Sequence, residues 1–127
     1  MFRRQQMSVL GMATGAIAGL IAVTPASGYV GVGGALSIGA IAGVVCFAVV
    51  TTFKHFTRID DSLDVFALHG VGGVVGTVLT PIFALKAIAP VTADIATNAL
   101  GAAAVMAYTG LMTWGILKAL DFIAGLR

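Results

Sequence analysis

Charge is scarce in this 127-residue chain. Lys, Arg, Asp and Glu make up 9% of it, hydrophobic residues 59%, and mean hydropathy is +1.06. Soluble domains carry roughly 25% charged residues, and a water-soluble fold of this length could not hide so much apolar surface. The shortage excludes a soluble globular domain. Seven basic residues are scattered along the chain, so the clustered basic patch of a nucleic-acid-binding face is missing. Cysteine occurs once, at Cys46. No intrachain disulfide can form, no metal site rests on cysteine, and Cys46 reads as a small packed thiol. The sequence holds no nucleophile–base set, no Walker loop and no metal-ligand spacing. Gly31-Val32-Gly33-Gly34 resembles a phosphate loop only superficially, because no lysine follows it. Neither an enzyme nor a cofactor is expected.

Long apolar runs fill the space that charge leaves. No charge occurs between Arg4 and Lys54, which is room for two spans of about 20 residues each. In lipid, backbone groups are satisfied only in helices or closed barrels. Period-two alternation is absent and Ala, Gly and Leu are frequent, so the expected fold is all-α: a polytopic membrane helix bundle of four transmembrane helices. The spans are placed at about 8–23, 33–53, 62–85 and 92–123. Thr24-Pro25-Ala26-Ser27-Gly28-Tyr29 breaks the first. Lys54-His55-Phe56-Thr57-Arg58, with Asp60 and Asp61, is read as a polar loop, and His55 as a solvated residue without function. Thr92 is the expected N-cap of span four, with Asp94 in its first turn. Trp114, Tyr108 and Asp121 on that span are read as interfacial anchors or packing residues.

Four spans put the N-terminus, the loop between spans two and three, and the C-terminus on one side. That side holds Arg3, Arg4, Lys54, Arg58, Lys118 and Arg127, and the other only Lys86, so both termini are expected in the cytoplasm. Small residues recur at four-residue spacing in Gly11/Gly15/Gly19, Ala35/Gly39/Gly43 and Gly72/Gly76. Such spacing lets helix backbones approach closely in membranes. Pro81 should free the carbonyl of Thr77 and kink span three.

One segment points to function. Asp60-Asp61-Ser62-Leu63-Asp64-Val65-Phe66-Ala67-Leu68-His69-Gly70-Val71-Gly72-Gly73 leads into a run without further charge until Lys86. It places His69 inside a membrane helix, roughly 7.5 Å beyond Asp64 at the α-helical rise. An ionisable residue at that depth is a functional-site hypothesis by default. A charged group is disfavoured there, so His69 is read as neutral imidazole, with one donor and one acceptor. That suits a small, neutral, hydrogen-bonding substrate better than a bare cation, and a proton relay is a further use. The alternative is a packing histidine bonded to a neighbouring carbonyl. Asp64 is expected to cap the helix start. Val65 and Phe66 are packing residues or pore lining.

The segment from Asp60 to Gly73 resembles the second half of the ammonium transporter (Amt/Mep/Rh) family. The likeness continues through Ser8-Val9-Leu10-Gly11, Gly15 to Leu20, Thr24 to Gly31, Gly34-Ala35-Leu36, Ala42-Gly43-Val44, Thr80 to Ala84, and Asp121 with Gly125-Leu126-Arg127. Because it covers the N-terminal run, that run is read as a retained span rather than a signal peptide. The resemblance implies a trimeric channel-like transporter in the cell (plasma) membrane that deprotonates ammonium and passes ammonia along an apolar pore lined by two histidines. His69 resembles the second of them and Val65 a cytoplasmic-side pore residue; Asp64, Phe66, Gly70, Gly72 and Gly73 support them. Pro81 stands where the family usually has a small residue, and Ser27 where cysteine is common.

Family protomers have about eleven spans built from inverted repeats, and the resemblance covers the last four. The chain is therefore expected to contribute to a pore rather than to form one alone. Its expected partners are ammonium or ammonia, the lipid bilayer, and either a homotrimer of complete protomers or a missing N-terminal half. A PII-type regulator docks on a tail that this sequence lacks. The competing expectation is a non-conducting membrane module, or remnant, that associates with full-length subunits.

Overall fold

The computed structural model describes residues 9–56, 64–89 and 94–125. Among the described residues four α-helices follow one another: α1 (Val9–Val23), α2 (Val32–Phe56), α3 (Gly72–Phe83) and α4 (Ile95–Ala124). A 3-10 turn at Thr24–Ala26 follows α1, and a π-helical turn at Phe66–Val71 leads into α3. The fold is an all-α membrane helix bundle. Val32–Phe53, Phe66–Phe83 and Ile95–Ala124 are each long and apolar enough to cross a membrane, and α1 adds a shorter apolar helix.

Local chemistry sets the breaks. Pro25 occupies the start of the 3-10 turn, where its missing amide hydrogen costs nothing. Gly28 then turns the chain at φ 84°, a conformation open to glycine. Beyond this turn Val30 pairs with Ala84 as an isolated antiparallel bridge, and the Leu85 N–H donates to the Tyr29 carbonyl at 2.9 Å. The end of α3 is thus tied to the α1–α2 connection.

Three expected boundaries need correction. Lys54-His55-Phe56 is helical, not loop: α2 runs through Phe56, because no glycine or proline stops it where apolar residues give way to polar ones. Span three ends as a helix at Phe83, with Ala84 extended, because the bridge to Val30 captures the backbone. Span four is capped by Asp94 itself. Its side chain accepts from the Thr97 N–H and the Thr97 hydroxyl, both at 3.1 Å, so Asp94 lies before the first turn. Thr92, Asp60 and Asp61 lie outside the described residues, as do Arg3, Arg4, Arg58 and Arg127, on which the expected orientation partly rests.

Packing centres where α1, α2 and α3 meet. Ala22, Ala26, Ile38 and Ala42 are fully buried together, flanked by Val23, Val75, Leu79 and Phe83. A second cluster joins Ala18, Cys46 and Leu68, with Ile21 against it. Most buried positions are small, as expected where van der Waals contact rather than water exclusion holds helices together. The expected glycine faces are used unevenly. Gly19 and Gly39 face each other, Gly72 lies against Cys46, and Gly76 meets the Ala22 backbone, whereas Gly15 and Gly43 face open space. Among the described residues helix α4 packs chiefly on α3 and leaves Leu100, Leu111, Trp114 and Phe122 exposed.

Candidate functional site

The motif around His69 is built on the π turn. The Gly72 N–H reaches back to the carbonyl of Ala67, five residues earlier, and also to that of His69. The same Ala67 carbonyl accepts the Cys46 thiol from α2 at 3.3 Å. Wider turns of this kind often occur at functional sites. Just before it, Asp64 takes φ 54°, left-handed backbone that aspartate tolerates better than most residues. Its carbonyl accepts the Leu68 N–H at 2.9 Å.

His69 is exposed and lies on a groove of about 490 Å³ between the α3 segment and α4. Gly70, Gly73, Val74 and Thr77 form one wall with it; Thr97, Asn98, Gly101, Ala102, Val105 and Met106 form the other. A Cβ at Gly73 would meet nothing within 4 Å, and one at Gly70 would touch only the Phe66 ring. The wall beside His69 is therefore largely bare backbone. Among the described residues its polar side chains are imidazole, two threonine hydroxyls and one carboxamide, and none carries a fixed charge.

The sequence-derived site residues divide among three places. His69, Gly70 and Gly73 share the groove. Gly72 is buried, and a Cβ there would sit 3.2 Å from Cys46 Sγ. Phe66 stacks on Phe53 of α2, ring centroids 5.1 Å apart at 27°. Asp64 lines a different hollow, with Thr14, Ala18, Cys46, Phe47 and Leu68. Val65 is half-exposed and does not line the His69 groove. The regular rise used to place His69 beyond Asp64 does not hold across a π turn.

Sequence reasoning missed the α4 wall. Asn98, Gly101, Ala102, Val105 and Met106 recur at three- and four-residue steps, one face of a helix. The amide of Asn98 within an apolar run was the available signal. Asn98 Nδ2 donates to the Thr77 carbonyl at 2.9 Å, the carbonyl expected to be freed by Pro81.

A family model described as Ammonium Transporter Family matches residues 1–127. The chain belongs to the ammonium transporter family. It is 50% identical over 82 residues to Ammonium transporter 1 of Schizosaccharomyces pombe, covering 65% of this chain and 16% of that protein. It is 40% identical over 125 residues to Ammonium transporter Amt1 of Archaeoglobus fulgidus, covering 93% and 32%. To the Ammonium transporter of Aquifex aeolicus it is 39% identical over 127 residues, covering 94% and 30%. The chain thus spans a third or less of the length of these curated relatives.

Proposed function

We propose that this chain takes part in the transmembrane transport of ammonium or ammonia, with His69 as a pore-lining histidine. One observation carries the reading: His69 faces a groove whose other polar side chains, among the described residues, are hydroxyl and amide, with no charged side chain in its lining. A dehydrated cation would find no counter-charge there, whereas neutral ammonia can both donate to and accept from imidazole. Releasing the proton before crossing avoids carrying charge through an apolar passage. Val65 does not line this groove, and its role as a cytoplasmic-side pore residue rests on the family resemblance alone. Phe66 and Gly72 hold the π turn against α2, and Asp64 sets its start.

The groove is open along one side, so further helices are needed to enclose a path. In this reading they come from the rest of a complete protomer, itself one of three, in the plasma membrane with both termini toward the cytoplasm. Replacing His69 by Ala in a transporter that includes this chain should change the rate or the selectivity of methylammonium uptake. Uptake with unaltered rate and selectivity would refute the pore assignment.

A second reading rests on α4, whose large apolar residues are exposed along most of its length. A non-conducting module that docks on full-length subunits would use that surface. Co-purification with such a subunit, with uptake indifferent to His69, would favour it.

A further inference from the structure

Pro81 lies inside α3. It has no amide hydrogen, and its ring crowds the carbonyl four residues earlier. That carbonyl belongs to Thr77. In hydrocarbon no water can take over the missing bond. The nearby hydroxyls are already committed: Thr77 Oγ1 donates to the Gly73 carbonyl at 2.9 Å, and Thr80 Oγ1 to the Gly76 carbonyl at 2.7 Å. The replacement comes from the other helix, where Asn98 Nδ2 donates to the Thr77 carbonyl.

Asn98 is itself held in place. Its N–H donates to the Asp94 carbonyl at 3.1 Å in the first turn of α4, and the Asp94 side chain caps that turn. Both Thr77 and Asn98 line the groove that His69 faces. The bond therefore spans the two walls of the groove. Gly73, Gly101 and Ala102 present little side chain across the groove, so this bond is a polar tie between its walls.

We propose that Asn98 is the positioning residue of this groove: its side-chain amide replaces the backbone donor that Pro81 removes, and so fixes where α4 stands relative to His69. The pairing of Pro81 with Asn98 is a property of the bundle. Its consequence for uptake rests on the transport reading above. Asn98→Leu keeps the volume and loses the donor. Pro81→Ala restores the backbone N–H, so Thr77 no longer depends on α4.

The test is a double-mutant cycle on the lipid-reconstituted chain: unchanged, Asn98→Leu, Pro81→Ala, and the two together. Folding is read by titration with a denaturing detergent. The α3–α4 separation is read from spin labels at the exposed positions Ile82 and Leu100. Interhelical hydrogen bonds in membranes are worth about a threefold change in the folding equilibrium. Asn98→Leu should cost about threefold with Pro81 present and broaden the label distances, and should cost almost nothing in the Pro81→Ala background. An equal cost in both backgrounds would overturn the proposal. If Asn98→Leu alone does not fold, the double variant should; failure of both would also overturn it. Methylammonium uptake by the longer transporter separates the two claims. Coupling in the cycle with uptake unaffected would leave the pairing standing and count against the groove as the substrate path.

Discussion

Gly76 is the tightest point of the bundle. A Cβ built there would collide with the Ala22 carbonyl oxygen and lie 2.8 Å from its carbon and 3.0 Å from Ala22 Cα. All three are backbone atoms of α1, so no rotamer change relieves the overlap. The carbon alone must retreat about 0.6 Å to reach ordinary contact at 3.4 Å, and the oxygen further. Moving α1 by that amount also opens the cluster of Ala22, Ala26 and Ile38 against Val75 and Leu79. Over-packing of this kind costs about 1–3 kcal/mol. Alanine is a better helix former than glycine by about 0.8–1 kcal/mol, which masks part of the loss. Gly73→Ala supplies the reference, because its Cβ would meet nothing within 4 Å and it collects the same propensity gain. Gly76→Ala should therefore be less stable than Gly73→Ala by about 1–3 kcal/mol. Detergent-driven unfolding followed by circular dichroism measures the difference. Equal stability of the two variants would refute the close α1–α3 approach.

Cys46 is buried with its thiol on the Ala67 carbonyl. It should resist maleimide until the bundle is unfolded, and Cys46→Ala should destabilise by about 1 kcal/mol; rapid labelling of the folded chain would contradict this placement. Asp94 lies outside the membrane span, and the hydrogen bond from the Thr97 N–H, then that from the Thr97 hydroxyl, holds its carboxyl below the ordinary 3.8. A depressed value means that the ionised form supports the helix start. That support is present at neutral pH and is lost as pH falls below 3.8 through the lower folded value. Carboxyl NMR should show Thr97→Val, which keeps the backbone N–H and loses the hydroxyl, moving the Asp94 midpoint part of the way upward, and an unmoved midpoint would refute the hydroxyl's share in the cap.

Much of the fold was legible because charge and turn residues punctuate the apolar runs. The ends of α1 and α4 lie within about three residues of the expected bounds. Legibility failed where a boundary depends on a partner or on the absence of a breaker. Ala84 leaves the helix because Val30, some fifty residues away, offers it a bridge. Lys54 to Phe56 stay helical because nothing interrupts α2 there. At the site, the Asp64-to-Gly73 motif drew notice to His69 but not to the wall opposite. Asn98 matters only because a proline 17 residues earlier lacks a hydrogen, a relation between two helices that single-helix periodicity cannot express. The freed Thr77 carbonyl was foreseen; its acceptance of an α4 side chain was not.

The π turn at Phe66–Val71 has a consequence for comparing this segment with any other. An α-helix advances about 100° per residue, so an i to i+5 turn amounts to one extra residue in an otherwise regular rod. Residues before Phe66 and after Val71 therefore belong to two different helical phases. Deleting a single residue from the turn would restore regular α-helix and leave the faces before Phe66 and after Val71 where they now stand, whereas an α-helix of unchanged length would swing them apart by about 100°. A one-residue gap here would then be the mark of a retained architecture, and an ungapped match of equal length need not present the same faces.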